Sequence, residues 1–271
     1  MNFKSVPHFL IGLILLSSCS EQDTTTPISF QAVQEVFGTK IDPANLPNYA
    51  SQSIPNYIRK DNTGTNPITN EKAILGRVLF YDKNLSIDNT VSCASCHQQA
   101  FAFSDPLLAS EGVQGGVTSR HSMRLINTRF AVESKFFWDE RAPTLEAQVT
   151  TPIQDHAEMG FSGQNGRPNL TTLLDKLNGI PYYQELVQSA YGSPEVTEGR
   201  IQESLANFIR SIQSFDSKYD LGRGQVGNDA APFPNFTAQE NVGKDLFLTP
   251  PVFDASSNRI GGGLGCNGCH N

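Results

Sequence analysis

The sequence is poor in cysteine, tryptophan and cationic side chains, and these shortages narrow what the chain can be. Lysine and arginine together number 20 against 27 aspartates and glutamates, for a formal net charge of −7. The chain therefore lacks the basic surface by which proteins bind nucleic acid. Hydrophobic residues make up 38% and charged residues 17%, which indicates a globular protein rather than a disordered or membrane-embedded one. The 271 residues suffice for one large domain or two small ones.

Long apolar runs are also missing, and the longest near the N-terminus is too short to span a bilayer. This run, Phe9–Leu16, follows Lys4, a pattern typical of an export signal. The letters L-S-S-C ending at Cys19 resemble a bacterial lipoprotein cleavage box. We therefore predict a signal peptide at residues 1–18, lipid attachment at Cys19 and a polar tether over residues 19–27. An ordinary secretory signal with an unrelated cysteine is the alternative, and it also exports the protein.

The four cysteines other than Cys19 form two close pairs, each followed directly by histidine. The pairs are Cys93 and Cys96 before His97, and Cys266 and Cys269 before His270. In the C-x-x-C-H pattern of c-type haem attachment, both thiols bind the haem covalently and the histidine binds its iron. Disulfides or a zinc site are alternatives, but neither requires histidine after both pairs. The sequence predicts two c-type haems, with His97 and His270 as iron ligands.

Each haem motif is preceded by the same kind of segment. Residues 69–80 and residues 237–247 both start with a threonine suited to cap a helix, continue with an acidic first turn and reach G-x-x-L-F. This internal repeat predicts two similar helical modules.

The expected fold is all-α, with two cytochrome c-like domains. The first domain is expected over residues 28–222, a linker rich in glycine and proline over 223–236, and the second domain over 237–271. Because roughly 35 residues cannot enclose a haem, the second domain is expected to be incomplete in this chain. A short protein with a vestigial second motif is the alternative.

Three helices are predicted from periodicity within the first domain. They cover residues 170–177, 182–190 and 200–219. The third has an apolar stripe from Ile201 to Phe215, which indicates core packing, with haem contact as the alternative.

Two further motifs lie between the haem motifs. F-F-W-D-E-R-A-P contains Trp138, the single tryptophan, and P-I-Q-D-H-A-E-M-G contains Glu158, with Gln148 between them. Together with the haem motif ending at His97, they resemble the bacterial di-haem cytochrome c peroxidase family, which includes the tryptophan-tryptophylquinone maturation enzyme. The resemblance covers residues 60–271.

The resemblance implies a role for each matching residue. The His97 haem would reduce hydrogen peroxide, and the His270 haem would receive electrons from a small cytochrome c or cupredoxin. Trp138 would relay electrons between the haems. Glu158 and Gln148 would lie on the distal side of the first haem, where a carboxylate can move the peroxide proton and an amide can stabilise the leaving oxygen.

Ordinary alternatives exist for several of these side chains. A lone tryptophan is commonly a core residue. A glutamate without context is commonly a surface charge. His156 is expected to be exposed to solvent rather than to act as a second acid–base group, and Met159 is expected to serve packing.

The chain departs from the family pattern after the first haem motif. The usual distal histidine is replaced by Val113, which cannot bind iron. His121 stands where the family carries an asparagine near a calcium site, so the implied calcium is in doubt. His121 is expected to have a structural role, with substitute iron ligation as the alternative. We expect the first haem to be open or water-capped and ready for peroxide.

The expected activity is reduction of hydrogen peroxide in the periplasm, with the protein anchored in the membrane only through Cys19. The rivals are a di-haem oxidase of a protein or small molecule and a non-catalytic di-haem electron carrier or redox sensor. Family members commonly form dimers, so a homodimer is also implied, although no residue pattern marks an interface.

Overall fold

The computed structural model describes Met1, residues 28–132 and residues 135–268. Residues 2–18 of the predicted signal peptide, the whole predicted tether with Cys19, and the pair Cys269 and His270 lie outside the described residues. The α-helices over the described part are α1 (Gln31–Phe37), α2 (Asn70–Tyr81), α3 (Cys93–Cys96), α4 (Leu145–Val149), α5 (Thr151–Gln154), α6 (Leu170–Asn178), α7 (Pro181–Tyr191), α8 (Glu198–Arg210), α9 (Lys218–Arg223) and α10 (Ala238–Leu248).

Strand structure over the described residues is confined to one short antiparallel hairpin and isolated bridges. Strand β1 (Pro251–Phe253) pairs with β2 (Arg259–Gly262). The helical character of the prediction is thereby confirmed. No helix among the described residues has the length and hydropathy needed to cross a bilayer.

The two repeated segments form helices with the predicted caps. The Thr69 hydroxyl accepts a hydrogen bond from the N–H of Lys72 at the start of α2. At the start of α10 the Thr237 hydroxyl accepts from the N–H of Glu240, and the Glu240 side chain in turn accepts from the N–H of Thr237. Each cap satisfies backbone donors that the first turn leaves unpaired.

The core forms where α2 packs against α7 and α8. The crossing of α2 and α8 is close because residue 76 is glycine. A Cβ atom on Gly76 would stand 1.9 Å from the carbonyl oxygen of Ser204 on α8. Leu75, Leu79 and Leu205 are almost completely buried around this crossing.

The third predicted helix is wrong in its second half, because α8 ends at Arg210. Asn127 binds residues that follow Arg210 and so prevents them from continuing the helix. Its backbone N–H donates to the carbonyl of Ile212 at 2.9 Å, and its side chain bonds both the N–H and the carbonyl of Ser214 at 2.9 Å. Phe215, expected on the helical stripe, packs instead against Phe130 with ring centroids 5.3 Å apart.

The segment predicted as a linker is partly ordered by side-chain packing. Phe233 is 1% exposed and contacts the rings of Tyr219 and Phe236. Lys244 on α10 donates to the carbonyl of Asp229. Packing therefore joins residues of the segment to both α9 and α10.

Candidate active site

The first haem motif forms a one-turn helix with its histidine at the C-terminal end. Ser92 and Ser95 fix the start of α3, where the N–H of Ser92 donates to the Ser95 hydroxyl at 3.0 Å. Cys93 and Cys96 stand three residues apart, so they share one side of the turn, and both are free thiols. Burial raises the pKa of Cys93 to about 12 and also raises that of Cys96.

The imidazole of His97 is oriented by the backbone of the next loop. Its Nδ1 lies 2.9 Å from the carbonyl oxygen of Phe103, an acceptor that requires the proton on Nδ1. Nε2 is then the nitrogen suited to bind a metal, as in other histidine ligands whose second nitrogen donates to a carbonyl. Burial also lowers the pKa of His97, which favours the neutral form that binds iron.

This donor set fits a c-type haem. Two unpaired thiols share one side of a helical turn, and a neutral, tautomer-fixed imidazole follows directly. A disulfide between Cys93 and Cys96 is not formed. In the second motif the described residues include Cys266, which is also a free thiol.

Glu158 lies at the same site as the haem motif. The pKa of its carboxyl group is raised to about 7, mainly by burial and to a smaller extent by the charge of Asp155, while Arg141 opposes the shift. Burial is also the main cause of the raised pKa of Cys96, and the charge of Glu158 adds to it. A carboxyl group with a pKa near neutrality can both accept and donate a proton.

The backbone around Glu158 is held in a tight turn. The Asp155 side chain accepts the N–H groups of Ala157 at 2.8 Å and Glu158 at 3.1 Å. Met159 is 3% exposed, which confirms its packing role. His156 is half-buried rather than fully exposed, because its Nδ1 lies 2.9 Å from the Ser162 hydroxyl.

Val113 is completely buried in a hairpin that packs on this turn. Its N–H donates to the carbonyl of Glu158 at 3.0 Å. Cβ atoms on Gly112 and Gly116 would stand 1.9 and 2.2 Å from the carbonyl oxygen of Ala157, so only glycine allows this approach. The hairpin that would carry a distal histidine is therefore fixed against Glu158 and presents an aliphatic side chain.

Gln148 is half-buried on α4, whose orientation is set by a buried ion pair that sequence reasoning missed. Arg210 on α8 is 3% exposed and binds both carboxylate oxygens of Glu146, one of them at 3.2 Å. Because residues two apart on a helix do not share a face, Gln148 lies away from the side that Glu146 turns to α8. The sequence shows only that Glu146 and Gln148 stand two residues apart. It does not show that Arg210, 64 residues after Glu146, binds this carboxylate.

Trp138 is 60% exposed, so it is not a core residue. Its indole N–H donates to the backbone carbonyl of His121 at 2.9 Å. Asp139, the next residue, pairs at 2.8 Å with both Arg120 and Arg141. Trp138 is thus fixed to the segment that contains His121 and remains open to contact on its other side.

His121 lies on the same side of the motif as the loop that orients His97. Its Nδ1 is 2.8 Å from the carbonyl oxygen of Leu107, and its Nε2 is 3.1 Å from the hydroxyl of Ser104. Ser104 follows Phe103, whose carbonyl oxygen contacts the His97 imidazole. Both ring nitrogens are engaged by the loop whose Phe103 carbonyl orients His97, which supports a structural role for His121 and not iron ligation.

The fold and this arrangement define the class of protein: a helical c-type cytochrome with a protonatable carboxyl group beside its haem motif. A family model described as di-haem cytochrome c peroxidase matches residues 70–225, more than half of the chain. The chain belongs to this family, whose members are peroxidase-type oxidoreductases with two c-type haems.

Individual relatives agree with this assignment. Methylamine utilization protein MauG of Methylorubrum extorquens is 31% identical over 206 residues, which are 76% of this chain and 50% of that protein. Cytochrome-c peroxidase IdrP1 of Denitromonas iodatirespirans is 31% identical over 76% of this chain and 48% of its own length. A crystal structure of a MauG-like protein associated with microbial copper homeostasis superposes with a TM-score of 0.60 and 29% identity, over 73% of this chain and 54% of that one. The chain spans about half the length of these relatives.

Proposed function

We propose that this protein reduces hydrogen peroxide to water at the haem held by Cys93, Cys96 and His97. The single observation that carries the proposal is the half-buried carboxyl group of Glu158, whose pKa is raised to about 7, beside the haem-binding thiols. When bound, the haem supplies the iron at which peroxide is reduced. Relatives named as cytochrome-c peroxidases support the same reaction.

The protein residues supply proton transfer and positioning. Glu158 takes the proton from one peroxide oxygen and returns it to the other, the leaving oxygen, which a group with a pKa near neutrality does without a large energetic penalty. Gln148 supplies an amide donor to the leaving oxygen. Because the fixed hairpin carries Val113 and no histidine, no imidazole from this hairpin would have to leave the iron before peroxide arrives.

Electrons are proposed to enter at the second haem, bound through Cys266, Cys269 and His270, and to pass Trp138. The exposed indole, fixed by its bond to the His121 carbonyl, supports this relay. The proposed donor is a small cytochrome c or cupredoxin in the periplasm. Lipid attachment at Cys19 is a separate proposal, tested by replacing Cys19 with serine and following release from the membrane fraction.

Peroxide turnover of the haem-loaded protein tests the role of Glu158. Glu158→Gln should lower the rate by about 10²–10⁴-fold, because the amide cannot exchange the proton. His156→Gln, in the same turn but bonded to Ser162, should keep most of the activity. Equal rates in wild type and Glu158→Gln would remove Glu158 from the mechanism.

A di-haem oxidase is the second candidate, favoured by Val113 in place of a distal histidine and by the relationship to MauG. It shares the peroxide reaction but takes its electrons from a substrate protein or small molecule. Rapid consumption of peroxide without oxidation of any cytochrome c or cupredoxin would favour this candidate.

A further inference from the structure

A carboxylate at the end of α2 binds two tyrosine hydroxyls from the start of α7. The hydroxyls of Tyr182 and Tyr183 donate to the same oxygen, Oδ2 of Asp82, at 2.6 and 2.8 Å. The other oxygen accepts the backbone N–H of Asn84 at 2.8 Å. The carboxylate therefore acts only as an acceptor, with both phenolic protons directed at one atom.

The two rings form a path from the core toward the surface. Tyr183 is completely buried, whereas Tyr182 is 9% exposed. Their ring centroids are 4.7 Å apart with an interplanar angle of 40°. Tyr182 also contacts the half-buried Phe37, with centroids 5.3 Å apart.

The buried end of this pair lies in the same hydrophobic core as the first haem motif. Tyr183 belongs to the buried cluster against which Cys93 packs. Helix α2, which ends next to Asp82, contacts both α3 with Cys93 and α7 with Tyr183. Burial is the main cause of the raised pKa of Tyr183, and Cys93 contributes a smaller increase. On the His97 side, Phe103 packs against Phe80, two residues before Asp82, with centroids 6.1 Å apart.

A half-buried tyrosine, Tyr191, offers a comparison for the hydrogen bonds of Tyr183. The Tyr191 hydroxyl bonds the Arg200 carbonyl at 3.1 Å and the Ser204 hydroxyl at 2.9 Å, and neither of these two partners is a carboxylate. A phenol that loses an electron becomes a strong acid and must release its proton to a base at hydrogen-bond distance. Tyr183 donates directly to such a base, Asp82, whereas the two hydrogen bonds of Tyr191 join it to a carbonyl and to another hydroxyl.

We propose that Tyr183 is a redox-active residue that donates one electron to the first haem after this haem has been oxidised by hydrogen peroxide. Asp82 is the proton acceptor, and Tyr182 is the next ring on the path. The inference rests on the proposed function, because peroxide is the oxidant. When no donor protein supplies electrons, the two tyrosines supply them to the oxidised haem instead.

The step balances in electrons and protons. The O–H bond of Tyr183 breaks, the electron reduces the oxidised haem, and the proton passes to Asp82 Oδ2. A neutral phenoxyl radical remains on Tyr183. An electron from Tyr182 then reduces this radical. At the same time, the proton on Asp82 returns to the Tyr183 oxygen, and the Tyr182 hydroxyl proton passes to Asp82.

The test mixes the haem-loaded full chain with an equimolar amount of hydrogen peroxide in the absence of a donor, freezes it rapidly and records its EPR spectrum. Protein made with ring-deuterated tyrosine identifies the signal, because a tyrosyl radical narrows on deuteration. Wild type and the control Tyr191→Phe should show this radical. Tyr183→Phe and Asp82→Asn should lose it, since the first lacks the phenol and the second lacks the base.

A second measurement needs no variant and therefore does not depend on how the variants fold. Peptide mapping of wild type after repeated peroxide additions should find oxidised side chains at Tyr182, the more exposed member of the pair, and none at Tyr191. Oxidation equal at the two positions would overturn the inference.

The outcomes separate this inference from the function on which it rests. Peroxide that changes the haem absorption without producing a tyrosyl signal would overturn the inference and leave the peroxidase proposal standing. A radical that survives in both Tyr183→Phe and Asp82→Asn would also overturn it. Haem absorption that does not respond to peroxide would contradict both proposals.

Discussion

The backbone N–H of Val113 donates a 3.0 Å hydrogen bond to the carbonyl of Glu158. This bond joins the hairpin that carries a distal histidine in related proteins to the turn that carries the candidate acid–base group. The Gly112 and Gly116 contacts with the Ala157 carbonyl oxygen bring the same two segments together. The hairpin around Val113 is therefore held against the turn that carries Glu158.

Gly76 and Gly243 occupy matching positions of the internal repeat and should respond in opposite ways to alanine. A Cβ on Gly76 would stand 1.9 Å from the Ser204 carbonyl oxygen, so Gly76→Ala should push α2 from α8 and cost about 1–3 kcal/mol or more. A Cβ on Gly243 would meet no described atom within 4 Å, so Gly243→Ala should be neutral or stabilise α10 by up to about 1 kcal/mol. Urea unfolding of both variants checks this. Equal losses would contradict the close crossing of α2 and α8.

Removal of Arg210 should destabilise the protein strongly. Arg210→Ala leaves Glu146 without its partner in a mostly buried place, and breaking such a pair costs about 3–5 kcal/mol. Lys218→Ala removes a solvent-exposed pair with Glu240 and should change the free energy of unfolding little. Chemical denaturation measures both. An Arg210→Ala variant as stable as Lys218→Ala would show that the buried pair does not hold α4.

The stability contributed at Glu158 should fall as the pH rises. The pKa of about 7 in the folded chain lies above the ordinary value of 4.5, so between these pH values the folded state binds the proton and the unfolded state does not. Unfolding free energy therefore decreases across this range, and Glu158→Gln removes the decrease. Denaturation at pH 4.5 and pH 8 should show that the free energy of unfolding of Glu158→Gln, relative to that of wild type, is higher at pH 8 than at pH 4.5. Glu111→Gln, at an exposed carboxylate of the neighbouring hairpin, is the control and should follow wild type.

Replacement of His121 should leave the iron ligation of the first haem unchanged. His121→Ala removes two hydrogen bonds, to Leu107 and Ser104, and should lower the free energy of unfolding by about 1–3 kcal/mol. The EPR spectrum of the oxidised haem should stay as in wild type. A change from low-spin to high-spin iron in His121→Ala would identify His121 as a ligand after all.

Local rules were enough to predict much of this structure. The caps at Thr69 and Thr237 and the apolar face of α6 follow from short-range spacing, and each is observed. The end of α8 was not predictable, because Asn127, which draws Ile212 and Ser214 out of the helix, is far away in the sequence. Periodicity continued through Phe215, and a tertiary contact overrode it.

The candidate site was predictable only in part, for a related reason. The haem-binding residues are contiguous, so their spacing identifies them. The partners that orient them, such as the Phe103 carbonyl for His97 and the His121 carbonyl for Trp138, are backbone atoms with no residue signature. Asp82 and its two tyrosines were missed because nothing in their sequence positions marks their convergence.

The absorption and EPR spectra of the haem-loaded, as-isolated protein, recorded before and after hydrogen peroxide is added, test the central claim most directly. With Val113 buried and His121 held by the loop that orients His97, the first haem should contain high-spin ferric iron and react at once, without prior reduction. Two low-spin haems that ignore peroxide until one is reduced would contradict this account, because they would require a distal ligand that neither residue supplies.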